Sequence, residues 1–579
     1  MGAALEASVY VETATDVWTD ITADVMAAEG IRINYGISGD KPMDAVAGTG
    51  SAKFTVNGYA YSFNHADVLS GWQFGAGIRI LLRRTSDTAQ AVASITRSSA
   101  TATVTTSGSH GYSTDDWVTI AGASQAGYNG SFRITKTAAT TYTYDLGTLT
   151  PTTPASGTMT ARIGYLKHNG KLRSADPDPG AYRTRRVRVT SYDGMRDLAE
   201  TTLRDVAVQV NKTETELLTT VLDAVPANAQ PKFRSLAAAV DTYPYSFNEL
   251  GSGTAALRVI KRICVSGFGT AHMRGDGTFE FLSRNTRATG AAKFHFDETM
   301  QGLRTNASID ELVNHVQTTI SPRSIDSAAT TKVYQATGIP FSVAAGETVT
   351  MVVTYRDPDN TDTLIGATDV VNATATTDYL GNANAAGSGT NLTSSLAIVT
   401  TQYASTATLA ITNNHATATI YLTNASGVAF LQLRGKGVYE RSSQTFTAQS
   451  SQPYGDKTIK IPLSYQDDIG TAQSYALVVE EKYNQSAHAQ LESISFAGNA
   501  SSDLLLQAIS REPGDMIEVS ETNVGADQIL MVIQSVDLEI TSGPWVTATF
   551  GLAPSSAFAM WLLGTAGRSE IGESTTLGF

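Results

Sequence analysis

The chain has 579 residues, a formal net charge of −13 and only 16% charged residues. That acidic balance argues against a stable nucleic-acid ligand, which needs clustered Lys and Arg to replace counterions. A single cysteine, Cys264, excludes an internal disulfide framework and any Cys-based zinc finger.

Thr, Ser, Ala and Gly take the place of the missing charges, a mix suited to β-sandwiches and barrels rich in turns. At roughly 150 residues per domain the length suggests about four domains. No N-terminal segment joins basic residues to an apolar run, so no secretory signal is expected. No stretch approaches the ~20 apolar residues that would cross a bilayer as a helix.

Residues 1–85 read as strands. "ALEASVYVE" alternates, "AKFTVNGYAYSF" alternates around Asn57-Gly58, and "GIRILLRR" follows. Residues 86–160 are almost all Thr, Ser and Ala at period two, with turns at Gly108, Gly111, Gly122, Gly127 and Gly130. Their texture differs from the charged strands on either side, so they read as a small β-module inserted at a loop tip of a host β-domain. The host resumes over 161–210. There "RTRRVRVT" sets Arg186 and Arg188 on one face and Val187 and Val189 on the other.

Residues 211–329 hold the clearest helices. Leu217, Leu218, Val221, Leu222 and Val225 form one stripe, and Leu257, Ile260, Ile263 and Cys264 another. A hairpin turning at Gly275-Asp276-Gly277 comes next. A further helix is expected over "SIDELVNHVQTTI", where Ser308 and Glu311 have capping-box spacing. Residues 330–439 return to low-charge strands such as "ETVTMVVTYRD" and read as a second decorating sandwich, with a flexible loop over 381–391. Residues 440–560 give strands including "KTIKIPLSY", "DMIEVSET" and "WVTATFGLA", with a short helix or turn in "SDLLLQAISREPGD". No segment repeats at a period of 20–50 residues, which excludes a solenoid or propeller.

Sites of chemistry are sparse. Asp357, Asp359, Asn360 and Asp362 crowd one loop, but Asp362 and Thr368 stand where a calcium-binding EF-hand needs Gly and Glu. The eight histidines are scattered, with no HExxH and no Gly-x-Ser-x-Gly. Cys264 sits on the apolar face of its helix, which points to core burial and not to a nucleophile. "GTGSAKF" lacks the phosphate-loop spacing. No catalytic residue, metal or cofactor is assigned, and the expectation is a non-enzyme. Arg186 and Arg188 fit either a partner-facing strand or a face paired with local acids. Asp115, Trp117 and Tyr128, near Tyr142 and Tyr144, are candidate carbohydrate contacts, weighed against the aromatic core of a small β-module.

Four stretches in this order carry a resemblance: "GISGDKPMDAVAGTGSAKFTV", "FGTAHMRGDGTFEFLSR", "MIEVSETNVGADQILMVIQSVDLEITSGPWVTATFGLAP" and the tail "WLLGTAGRSEIGESTTLGF". The arrangement resembles the baseplate or tail hub proteins of tailed bacteriophages, notably siphophages. The resemblance implies a mainly β, multidomain chain with a smaller α+β part. A first hub barrel would cover 1–85 and 161–210, and a second 440–560. An α+β hub domain at 211–329 would lie between them, the inserted modules at 86–160 and 330–439 would decorate them, and 561–579 would be a C-terminal arm. Trp561, Leu562, Leu563, Ile571, Leu577 and Phe579 would anchor that arm on a neighbour.

Also implied is a homotrimeric ring that closes the distal tail tube. It would contact the distal tail protein, the tape-measure protein and central fibre or tip proteins, and let DNA pass on ejection. Such a virion component would assemble in the bacterial host cytoplasm, which fits a β-rich chain with no disulfides. The alternative is a tail protein that binds a receptor or cell-wall glycan through its inserted modules.

Overall fold

In the computed structural model, which describes residues 3–39, 41, 43–57, 72–178, 186–250, 253–287, 289–306, 312–336, 341–424, 430–453, 455–484, 490–555, 560–561 and 576–577, the chain is mainly β and multidomain. Its first barrel-like unit follows from period-two alternation. In Ile31–Gly36 the side chains of Ile31, Ile33 and Tyr35 point inward, while Arg32 and Asn34 face solvent. The strand order is Val17–Asp20, Leu5–Ala14, Gly77–Arg84, Thr160–Asp178, Arg186–Tyr192, Ser51–Asn57 and Ile31–Gly36, all antiparallel.

The sheet does not stop there. Ile31–Gly36 pairs with the second half of the strand Ala526–Thr541, from Ser535 to Ile540. The first half of that long strand pairs with Met516–Glu521. Its other edge carries Trp545–Pro554, then Gln490–Ala497, then Gly302–Asn306. The two barrel-like units thus share one sheet, and they also share one core. Val9, Ile33, Phe54 and Ile80 of the first unit lie in the same cluster as Leu538, Phe496 and Phe550 of the second. Phe496 packs edge-on against Phe550 with centroids 5.3 Å apart, a geometry worth roughly 0.5–1.5 kcal/mol beyond area burial. Helix α5 (Ser502–Ser510), capped by Ser501, drives Leu504, Leu505, Ala508 and Ile509 into this core.

The α+β part is assembled from two separated stretches. Helix α1 spans Gly194–Glu200, α2 Glu214–Ala224 and α3 Ala256–Gly267. A capping box fixes the start of α2: Thr213 and Glu216 satisfy each other's backbone N–H groups. The hairpin Thr270–Met273 and Thr278–Leu282 follows α3. The strand His315–Ile320 runs between Gln444–Gln449, antiparallel, and Thr458–Leu463, parallel, with helix α4 (Ile469–Tyr483) against it. One core joins Leu218, Ile260, Cys264, Val316, Ile461 and Tyr475.

Three expectations change here. The helix over "SIDELVNHVQTTI" is replaced at His315–Ile320 by a strand, in which Val316, Thr318 and Ile320 are buried at period two; Ser308 and Glu311 lie outside the described residues. Residues 444–483 pack with the α+β core and not with the second barrel, because their apolar side chains face α3 and the strand at 315–320. Conversely, Gly302–Asn306 leaves the α+β part to become a strand of the second barrel.

The inserted stretches each enclose a core of their own and stay joined to their neighbours by backbone pairing, the first through Trp117–Ala121 against Thr160–Gly164 and the second through Gln432–Glu440 against Arg323–Ile325. Residues 86–160 form strands Gln90–Ser98, Thr101–Thr106, Trp117–Ala121, Gly130–Lys136 and Thr141–Asp145 around a core of Ile95, Val104, Tyr128, Tyr142 and Tyr144. Residues 331–440 form a second β-module around Tyr355, Leu409, Ile411 and Leu433. Its loop at 381–391 is tied down: buried Asn382 donates to Gly387 O and Gly389 O and accepts from Asn384 N and Gly389 N. That network replaces the flexible loop expected from composition.

Candidate functional site

Two places bring chemistry together, and both lie where units meet. The first is a buried junction. Lys167, on the long strand of the first barrel, is fully enclosed. Its Nζ donates to Glu512 Oε1 and to Arg511 O, each at 2.7 Å. Glu512 follows α5 in the second barrel, and its other oxygen accepts from Gly275 N of the α+β hairpin at 3.1 Å. Gly275 is required by close approach: a Cβ there would stand 2.9 Å from Lys167 Cα. Three units are pinned at one ion pair. Burial pulls the Lys167 ammonium below its ordinary range, and the Glu512 carboxylate opposes that pull.

The second place is a groove of about 400 Å³ between the first barrel, the inserted module at 86–160 and the α+β part. Arg79 forms its wall. The guanidinium lies 3.7 Å from the Trp18 ring centroid and 4.9 Å from that of Trp117. Desolvation pushes Arg79 down to about 10, with Glu12 and Asp16 opposing. Arg133 of the module reaches Asp115 at 3.1 Å and lies over Phe233 of the α+β part. Trp117 meets Phe233 edge-on at 6.3 Å. Asp16, from the first hairpin turn, accepts from Thr148 N of the module at 2.8 Å. Beyond Trp18 and Arg79 the groove continues into a recess of about 290 Å³ that also borders Lys232.

The sequence-derived candidates divide accordingly. Asp115 lines this groove and is largely exposed. Trp117 also borders it, but is only 5% exposed and packs with Leu81 and Leu166 at the seam. Tyr128 is fully buried in the module's core and offers no face to a sugar. Sequence reading missed Trp18, Arg79 and Phe233, because nothing local shows that strands from three units converge there. Arg186 pairs with Glu29, and Arg188 stands across from Asp176 in the strand register. In the arm, Met560–Trp561 pairs in parallel with Thr576–Leu577. Leu562, Leu563, Ile571 and Phe579 lie outside the described residues.

Asp357 Oδ1 accepts from Asp359 N, so it closes its own turn. Among the described residues no group of three or more His, Cys, Asp or Glu side chains is placed to hold a metal. Cys264 is buried, and burial pushes its thiol far above the ordinary range, so it is not a ready thiolate.

No protein-family model matches the sequence, and no curated protein matches it. Among solved structures, the chain is similar to a 43 kDa tail protein of prophage MuSo2 from Shewanella oneidensis. The two are 9% identical with a TM-score of 0.43, over 96% of this chain and 99% of that one. It is also similar to a tail protein from Neisseria meningitidis MC58, at 8% identity and a TM-score of 0.45, over 95% and 96% of the two chains. A third is prophage tail protein gp18 from Listeria monocytogenes EGD-e, at 8% identity and a TM-score of 0.38, over 94% of each.

Proposed function

We propose that the chain is a structural hub subunit of a phage tail tip, and that three copies form a ring closing the distal end of the tail tube. The observation that carries this reading is the shared sheet between Ile31–Gly36 and Ser535–Ile540. A three-copy ring that continues a six-fold tube needs two β-lobes per copy held at a fixed spacing. One sheet, one core and the Lys167–Glu512 junction supply that rigidity. The role is mechanical and requires no chemical step from the chain. The ring would sit in the virion, assembled in the host cytoplasm, against the distal tail protein, the tape-measure protein and central fibre or tip proteins. Each copy brings a net charge of −13, so a lumen that shares the acidic balance would let DNA slide without adhering. The arm at 561–579, through Trp561, Leu562, Leu563, Ile571, Leu577 and Phe579, would lock neighbouring copies.

Light scattering of the purified protein tests the assembly. A mass of three 61.2 kDa chains supports the ring, and a single-chain mass at every concentration counts against it. A glycan-binding role does not exclude the ring, and one observation favours it: the groove beside the first inserted module.

A further inference from the structure

We propose that the groove between the inserted module and the hub is a binding site for a neutral, hydroxyl-rich ligand, an uncharged pyranose oligosaccharide. Its volume of about 400 Å³ falls in the range of small-molecule sites, and the adjoining recess of about 290 Å³ extends it beyond a single ring. Trp18, Phe132 and Phe233 are half-buried and line it, each backed by a partner, Arg79, Tyr144 and Arg133 in turn. Sugar rings offer matching apolar C–H faces, and aromatic rings bury them at low entropy cost.

The charges decide the ligand class. Three carboxylates, Asp16, Asp115 and Asp145, stand against three cations, Arg79, Arg133 and Lys232. A strongly anionic ligand would meet the carboxylates, and a cationic one the guanidinium groups. A neutral polyol uses both, donating its hydroxyls to the carboxylates and accepting from the cations.

The site is also pre-organised. Arg79 is wedged between two tryptophans. Asp16 and Asp115 both hold left-handed backbone, with φ of 61° and 76°. Non-glycine residues seldom adopt that region, and residues held there cluster at ligand sites. Here the Thr148 N–H fixes the carboxylate of Asp16, and Arg133 fixes that of Asp115. The three walls come from three units, and the pairing of Trp117–Ala121 with Thr160–Gly164 fixes the module wall to the barrel wall. Sugar recognition therefore becomes a property of the assembled subunit and not of the module alone.

Titration calorimetry of the full chain with neutral tetrasaccharides, of N-acetylglucosamine and of glucose, tests this. At least one should bind more tightly than about 1 mM, and Trp18→Ala should weaken it by about tenfold or more. Asp115→Asn, at an exposed side chain, should weaken it by a smaller factor and guards against a misfolded Trp18 variant. Trp545→Ala, at an exposed tryptophan of the second barrel, should leave binding unchanged. The proposal is overturned if neither sugar binds at about 10 mM, if the Trp18 and Asp115 variants bind as the parent does, or if a sulfated oligosaccharide binds more tightly than the neutral ones. The groove lies within one chain, so the titration reads it whether or not a ring forms.

Discussion

The double barrel and the inserted module at 86–160 are both antiparallel β-structure, but they are held together differently. In the double barrel the decisive contacts are remote in sequence: Ile33 lies opposite Leu538, and Lys167 meets Glu512. In the module the paired strands lie within about fifty residues of one another and enclose a small core of their own. The module joins its host through one strand, with Trp117–Ala121 paired to the first residues of Thr160–Asp178, and through side chains at a seam, chiefly Trp117, Arg79 and Phe233. Rigidity is built where two units share both a sheet and a core, and a groove opens where a single strand, Thr160–Asp178, joins two units that keep separate cores.

The largest expected effect breaks the double barrel. Glu512→Ala leaves Lys167 buried without its counter-charge and should cost ~3–5 kcal/mol in urea unfolding, the usual penalty for removing one partner of a buried pair. A Lys167→Met, Glu512→Leu double variant should recover most of that loss. If Glu512→Ala alone costs less than about 1 kcal/mol, the junction is not what pins the units.

At the seam, Trp117→Ala should cost ~3 kcal/mol, the low end for a buried aromatic. Calorimetry should show the loss as an earlier, separate module transition while the main transition stays in place. A uniform downward shift would mean that module and barrels unfold as one.

A pH series sharpens the contrast from the α+β side. Burial raises Asp193 to about 8 and Glu214 to about 7, so the folded state holds protons that the unfolded chain releases. Their stabilising contribution is full below pH ~4 and is lost as pH rises through about 7 to 8. Unfolding free energy should therefore fall from pH 5 toward pH 9, and the fall should flatten in an Asp193→Asn, Glu214→Gln variant.

The smallest effect is expected at the arginine strand. Arg186→Ala removes a partly exposed pair with Glu29 and should change stability by less than about 1 kcal/mol.

The sequence made local order readable. Alternation marked Leu5–Ala14 and Ser51–Asn57, apolar runs marked Gly77–Arg84 and Trp545–Pro554 as strands, and the apolar stripe marked α2 and α3. Helix α4 escaped because "IGTAQSYALVVEEKY" buries small residues and tyrosines instead of a Leu/Ile stripe. The strand at His315–Ile320 was hidden by the cap-like Ser308 and Glu311 before it. The domain boundary near 440 was misplaced for a general reason: strands at 444–463 and 302–306 find their partners across the inserted module at 331–440, and texture along the chain carries no record of that. The groove was legible only in part. Asp115 and Trp117 stood out as a polar and aromatic cluster, whereas Trp18, Arg79 and Phe233 are brought to them by folding alone.

The most direct test of the central claim is electron microscopy of the purified protein at the concentration where it associates. The account predicts closed rings with three-fold symmetry and six β-lobes around a lumen, two lobes per chain at constant spacing. Elongated fibres, rings of another order, or lobes whose spacing varies from particle to particle would contradict it.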